Sequence, residues 1–200
     1  MSHSNAVSHS LERVRRALAS VVPPPRDKLA GNNKAAAVLV PIFERDGILN
    51  VVYIRRSDDV ASHRGQVAFP GGRVDPVDQT VLDTALREAH EEVGIEPRTV
   101  EVLGALPTAT TYTSGIIVSP FAGLIPHSTP FRPQESEVAE IFVVPLPALS
   151  DLRYRGEYEW ARDDGKVARY PAILYGGQTI WGLTYRITVD LLAIIDGRAP

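Results

Sequence analysis

Apolar residues fall into two rhythms along the chain. Leu11, Val14, Leu18 and Val21 recur at helical spacing, with Glu12, Arg13, Arg15 and Arg16 between them. That spacing predicts a short amphipathic helix. Pro23-Pro24-Pro25 ends it, because proline lacks an amide donor and restricts the residue before it. From Ala35 onward the pattern turns strand-like. Residues 35–43 and 48–55 are apolar, β-branched runs separated by Glu44-Arg45-Asp46-Gly47, whose Asp-Gly step signals a hairpin. Further strands are expected over residues 100–106, 116–125, 139–144, 152–160 and 167–170, the last two joined through Asp163-Asp164-Gly165. Helical patterns cover residues 78–93 and 183–195, the second ended by Gly197. Many strands around few helices predict an α+β fold built on a mixed sheet, not a doubly wound one. Residues 1–30 read as a helix and proline-rich linker appended to a domain over residues 31–200. That helix either packs on its own domain or offers a face for a homodimer; the pattern leaves both open.

Composition narrows the chemistry. Hydrophobic residues make up 44% and charged residues 22% of the 200, which suits a globular core and excludes disorder as the main state. The longest apolar run, residues 35–43, contains a proline and falls far short of the ~20 residues a membrane helix needs. A net charge of -3 gives no reason to expect nucleic acid or acidic membrane as a partner. The polar start, with His3, Ser4 and Asn5, lacks an apolar signal core, so the expected location is the cytoplasm. Without cysteine there are no disulfides, thiolate zinc sites or cysteine nucleophiles. Carboxylates, histidines and hydroxyls remain.

The carboxylates concentrate in Leu86-Arg87-Glu88-Ala89-His90-Glu91-Glu92-Val93-Gly94-Ile95. Positions three and four apart share a helix face, so Glu88, Glu91 and Glu92 are expected to project together. Adjacent carboxylates repel, and clustering them makes sense when a cation sits among them. Hard cations such as Mg²⁺ and Mn²⁺ prefer oxygen ligands, and Mg²⁺ binds through one or two carboxylates plus substrate phosphates. Arg87 lies four residues before Glu91 and can pair with it. Val81, Leu82, Ala85, Ala89 and Val93 form the opposite, core-facing stripe. Asp78 or Thr80 can cap the start, Thr80-x-x-Asp83 resembling a capping box, and Gly94 closes the end. His90 points away from the glutamates.

Just upstream lies Gly65-Gln66-Val67-Ala68-Phe69-Pro70-Gly71-Gly72. Two glycines after a short strand let backbone approach a metal or phosphate closely. A strand, glycine loop and carboxylate helix together suit a metal-bound pyrophosphate. No Gly-Lys-Ser/Thr of a Walker loop and no Gly-x-Gly-x-x-Gly of a dinucleotide fold is involved.

Residues 87–95 resemble the second half of the Nudix hydrolase signature, Arg-Glu-apolar-x-Glu-Glu-x-Gly-apolar. The first half departs: the glycine and glutamate slots of that signature hold Arg73 and Gln79, with Gly72 and Asp78 each one position early. The loop is therefore expected to be one residue longer. Arg56-Ser57 and His63-x-Gly65-Gln66-Val67-Ala68-Phe69-Pro70-Gly71-Gly72 are similar to the additional motif of the coenzyme A pyrophosphatases, with Ala61 where arginine is usual. Asp75-Pro76-Val77-Asp78 and Ile180-Trp181-Gly182-Leu183-Thr184 also look like that subfamily. The resemblance spans residues 35–192 and implies a Nudix-type α/β/α sandwich with a mixed β-sheet.

It further implies Mg²⁺- or Mn²⁺-dependent hydrolysis of the pyrophosphate bond of coenzyme A or its acyl derivatives. The products would be 3′,5′-ADP and 4′-phosphopantetheine or its acyl form. Glu88 and Glu92 are expected as metal ligands, Glu91 directly or through water, and Gly71 or Gly72 through backbone. Arg87 would orient the carboxylates. Glu137, which precedes a strand, is the candidate general base, with Glu135 as runner-up. Arg55, Arg56, His63, Arg64 and Gly71 are candidate substrate contacts, and Trp181 and Tyr185 either core or adenine-stacking residues. The competing expectations are hydrolysis of ADP-ribose, another nucleoside diphosphate derivative or a damaged nucleoside triphosphate, and a non-catalytic nucleotide-sensing domain.

Overall fold

The Asp46-Gly47 step forms the turn of the first hairpin, with both residues at positive φ, 50° and 81°, as a two-residue primed turn requires. It joins strand β1 (Ala35–Arg45) to antiparallel β2 (Ile48–Arg56), Ile42 facing Val51 and Arg45 facing Ile48. The computed structural model describes residues 3–19, 35–60, 63–111, 115–161 and 165–198, with side chains from Leu11 onward. Val21, Pro23–Pro25, Ala61, Asp163 and Asp164 lie outside the described residues.

Around this hairpin the main sheet grows in both directions. β2 pairs with β3 (Val67–Ala68) and with β8 (Val138–Pro145), and β1 pairs with β4 (Gly71–Arg73). On its other side β1 runs parallel to β7 (Ile117–Leu124), which pairs antiparallel with β5 (Glu101–Ala105) and β6 (Ala109–Thr110). One parallel pair among antiparallel ones makes the sheet mixed. Three strands, β9 (Arg155–Ala161), β10 (Val167–Tyr175) and β11 (Gln178–Trp181), form a second, antiparallel sheet. The short helix α3 (Leu146–Ser150) follows β8.

Both faces of the main sheet are covered, which explains why β1 and β2 read as nearly continuous apolar runs. Leu39, Phe43, Val52 and Ile54 face helix α2 (Val81–Val93), meeting its stripe of Val81, Ala85, Ala89 and Val93. Val40, Ile42, Val51 and Tyr53 face α1 (His3–Ala19) and α4 (Gly182–Ile195), against Val14, Leu18, Ile187 and Leu191. The result is the α/β/α sandwich with a mixed sheet. Among the described residues no helix is long and apolar enough to cross a membrane.

The amphipathic stripe of α1 is occupied within its own chain. Val14 and Leu18 are fully buried, and Arg15 forks onto Glu101 of β5 with two 2.8 Å hydrogen bonds. Helix and strand touch so closely that a Cβ on Gly104 would overlap the Leu18 carbonyl.

The carboxyl-terminal region differs most from expectation. Leu152 sits in a 3₁₀ turn, and the following strand starts at Arg155. β10 runs on to Tyr175 through Pro171, and β11 was not expected at all. Proline is tolerated because β11 pairs with β10 only from Ala172 onward, so the missing amide breaks no ladder there.

If α1 is integral to the core, Leu18→Ala destabilises the protein by about 2–5 kcal/mol in urea denaturation. A loss below about 0.5 kcal/mol, the range of surface substitutions, contradicts this packing.

Candidate active site

Helix α2 begins and ends as its sequence requires. Thr80 accepts from the Asp83 amide at 3.1 Å, while the Asp83 carboxylate accepts from the Thr80 amide at 2.7 Å, completing the capping box. Gly94 closes the helix at φ 75°, its amide donating to the His90 carbonyl at 2.9 Å while the Ile95 amide donates to the Ala89 carbonyl at 3.3 Å. With one face buried on the sheet, the registers of the charged residues are set.

The glycine loop is anchored separately. Phe69 is buried and stacks on Tyr53 at 4.7 Å between ring centroids, and the Pro70 carbonyl accepts from the Leu39 amide at 2.9 Å. Thr184 of α4 donates to the Val67 carbonyl at 2.9 Å. These contacts press Gly71 and Gly72 against α2. A Cβ on Gly72 would overlap the Glu88 carboxylate, and one on Gly71 would overlap the Ala37 carbonyl, so neither position accepts a side chain without displacement.

Glu92 is the innermost carboxylate, its side chain only 3% exposed. The Gly71 amide donates to Oε2 at 2.9 Å and Arg56 donates to Oε1 at 3.2 Å. Burial pushes its pKa up to about 7; Glu88 and Glu137 add to the rise, against the Gly71 amide and Arg56. Glu88, half-buried, is also raised by burial, with Glu91 and Glu137 contributing against the pull of Arg87. Glu137 is exposed, yet its charge reaches both helix carboxylates. The segment carrying it lies over the end of α2: the amides of Arg132 and Gln134 donate to the Val93 and Glu92 carbonyls, and the Ser57 amide donates to the Glu137 carbonyl.

Arg87 organises the outer side. Its Nη1 donates to Glu88 at 2.9 Å and Glu91 at 3.1 Å. Nε and Nη2 fork onto Asp78, each at 3.0 Å, and Nη2 also reaches the Arg73 carbonyl. Asp78 is buried and accepts as well from Thr84 and the Asp75 amide. Burial raises its pKa, but the hydrogen bonds from Arg87, Asp75 and Thr84 outweigh that and leave it at about 2. From the sequence, Asp78 is a possible helix cap and part of two family-like motifs, with no contact to Arg87 expected. Its place one position before the expected acidic slot was the available signal: in the longer loop Asp78 meets Arg87.

The three glutamates are not gathered as one cluster. Glu92 turns inward onto Arg56 and Gly71, Glu88 lies on Gly72, and Glu91 extends outward on Arg87, 57% exposed. Among the described residues no group of three acidic or imidazole side chains is close enough to cage a metal. Arg56 and Arg87 take up the carboxylate oxygens instead, yet four carboxylates (Asp78, Glu88, Glu91 and Glu92) meet these two guanidiniums and the charge of Glu137 reaches Glu88 and Glu92 as well. A donor set made only of oxygens, with surplus negative charge, fits a hard divalent cation that touches one or two carboxylates. His90 lies 3.9 Å from Glu96, away from this centre.

A separate open cleft of about 570 Å³ lies on the other face of β2, between the 63–67 loop and the second sheet. Arg55 borders it, whereas Arg56, the next residue, reaches Glu92. His63, Arg64 and Gln66 line one wall; Tyr158, Trp160 and Trp181 line the other. His63 adopts φ 58° and its Nδ1 hydrogen-bonds Gln66 Oε1 at 3.0 Å. Trp181 therefore belongs to the cleft, whereas Tyr185 packs against the core beneath Arg155. The glutamates do not border this cleft, so the sequence-expected residues divide between two places joined by one loop.

The family model described as NUDIX domain matches residues 33–164. The chain belongs to the Nudix family. It is 42% identical over 177 residues to an uncharacterized Nudix hydrolase NudL of Pectobacterium atrosepticum, covering 88% of this chain and 90% of that one. A Photorhabdus laumondii protein of the same name is 42% identical over 171 residues, covering 85% and 89%. A Nudix hydrolase of M. smegmatis, RenU, matches in structure with 18% identity and a TM-score of 0.49, over 83% of this chain and 88% of that one. The protein is thus a Nudix hydrolase, a pyrophosphohydrolase of the class that acts on nucleoside diphosphate derivatives with divalent metal ions.

The Asp78–Arg87 contact carries a pH signature. A native pKa of about 2, below the ordinary 3.8, contributes stability in full above pH 4 and loses it as pH falls through 2. Asp78→Asn should cost about 2 kcal/mol at neutral pH and flatten the acid limb of the stability profile. Urea denaturation across pH measures both, and an acid limb identical to wild type contradicts the assignment.

Proposed function

We propose that this Nudix hydrolase cleaves the pyrophosphate bond of coenzyme A or its acyl derivatives, releasing 3′,5′-ADP and 4′-phosphopantetheine or its acyl form. The observation that carries this reading is the course of the 63–72 segment. This segment resembles the coenzyme A pyrophosphatase motif, and its glycines abut Glu88 and Glu92 while its first residues line a basic, aromatic cleft. One loop thus touches both places a substrate with a pyrophosphate and a distant, recognisable end would occupy.

Glu88 and Glu92 would hold Mg²⁺ or Mn²⁺, with Gly72 backbone and Glu91 as further oxygen donors. A divalent ion held there would supply charge neutralisation of the phosphates and a lowered pKa of bound water. Glu137, exposed and within electrostatic reach of Glu88 and Glu92, would be the base that takes a proton from the attacking water. Arg87 is a positioning residue: clamped by Asp78, it keeps Glu88 and Glu91 in register. Arg56 shields Glu92 and stands ready to meet phosphate oxygens when it is released.

Incubation with Mg²⁺ and coenzyme A, ADP-ribose or 8-oxo-dGTP, followed by product identification, tests the substrate. Preferential cleavage of coenzyme A is expected; preferential cleavage of ADP-ribose overturns the proposal. Absence of turnover with tight nucleotide binding would instead make the protein a sensor. Glu92→Gln should lower the rate by at least ~10²-fold if this carboxylate helps hold the ion that activates water.

A further inference from the structure

The aromatic wall of the cleft follows from strand register. On β9, Tyr158 and Trp160 share a face; their partners across the ladder are Tyr170 and Ala168, and Trp181 stands opposite Ala172 on β11. Alternation puts all of them on one side of the three-stranded sheet. Trp181 stacks on Tyr158 at 4.1 Å and lies 5.4 Å from Trp160 and 5.8 Å from Tyr170. Trp160 stays 40% exposed at the edge of this slab. Exposed indoles on a concave, hydrophobic surface mark a binding site more often than a structural need.

The facing wall is cationic. Arg64 donates its Nε to the Val60 carbonyl at 2.9 Å and forms no ion pair among the described residues. Arg55 is partly satisfied by Glu140 at 3.5 Å, which also accepts from Gln178 at 2.8 Å. Arg64 is therefore the cation left for a ligand. A flat π-surface facing a guanidinium is the combination that recognises a nucleobase and a phosphate together. The volume of about 570 Å³ lies in the range of small-molecule sites.

Distance permits one ligand to reach both places. Arg55 and Arg56 are consecutive, with Cα atoms ~3.8 Å apart, and they end β2, where the sheet stops separating its faces. Gln66 in the cleft is five residues from Gly71, at most ~18 Å along the chain.

We propose that this cleft is the nucleotide subsite: the base of the substrate stacks on Trp160 and Trp181, and Arg64 binds a phosphate additional to the cleaved pair. This rests on the coenzyme A reading above, in which that group is the 3′-phosphate. The pantetheine half then leaves the acidic centre in another direction.

Both tryptophans of the chain lie in this cleft, so intrinsic indole emission reports on it alone. Titration of the full chain with 3′,5′-ADP should quench that emission saturably, and 4′-phosphopantetheine should leave it unchanged. Arg64→Gln should weaken 3′,5′-ADP binding at least tenfold while changing 5′-AMP binding less than twofold. Trp160→Ala, at an exposed position, should weaken both ligands at an unchanged melting temperature. Emission insensitive to 3′,5′-ADP, or quenched by phosphopantetheine instead, overturns the proposal. Coenzyme A turnover without nucleotide quenching would remove the subsite and leave the function standing. Nucleotide quenching without coenzyme A turnover would do the reverse.

Discussion

A carboxylate held out of water at the meeting point of loop and helix is the constraint on which the rest of the site depends. Glu92 cannot be ionised there cheaply, since charge in a low-dielectric setting requires hydrogen bonds or a counter-ion. The Gly71 amide and Arg56 supply part of what is needed, and burial pushes its pKa up against their pull. On the proposed reading, a divalent ion would supply the rest. Gly71 therefore serves as an amide donor as well as a point of close backbone approach, and Phe69 and Pro70 serve to keep that amide in place. Asp78 holds Arg87 as the Gly71 amide holds Glu92, and through Arg87 it fixes Glu88 and Glu91.

The sandwich architecture makes this arrangement rigid. α2 is packed on one face of the sheet through small and branched residues, so its outer face cannot rotate. β2 delivers Arg56 to one face and Arg55 to the other, because successive strand residues alternate sides. A single strand end therefore serves both the acidic centre and the aromatic cleft. α1 and α4 close the opposite face and hold β3, through Thr184, at the base of the glycine loop.

Much of the helix was legible in the sequence. Its apolar stripe, the Thr80–Asp83 capping box, the terminal Gly94 and the Arg87–Glu91 pair are local, governed by spacings of three and four. The Asp46-Gly47 hairpin was legible for the same reason. What escaped depends on long-range contact. Arg56 meets Glu92 across 36 residues, and no periodicity announces that pairing. The expectation that Glu88, Glu91 and Glu92 project together treated the helix as isolated; in the fold, Arg87 bridges Glu88 and Glu91, while Glu92 turns inward onto Arg56 and the Gly71 amide. Asp78 was visible as a possible cap and as a displaced motif residue, and its contact with Arg87 required knowing where Arg87 points. The second sheet was harder still, because Pro171 interrupts β10 and only its position relative to β11 makes it acceptable. Trp181 could not be assigned to core or cleft until the register of that sheet was known.

The central claim of the proposed function is that Glu88 and Glu92 bind a divalent cation in place of the Arg56 contact. A crystal soaked in manganese, examined by anomalous diffraction, tests it directly. The account predicts a peak within coordinating distance of the Glu88 and Glu92 carboxylates, with Arg56 drawn away from Glu92. A featureless map there, with Arg56 and the Gly71 amide still holding Glu92 as they do here, would contradict it.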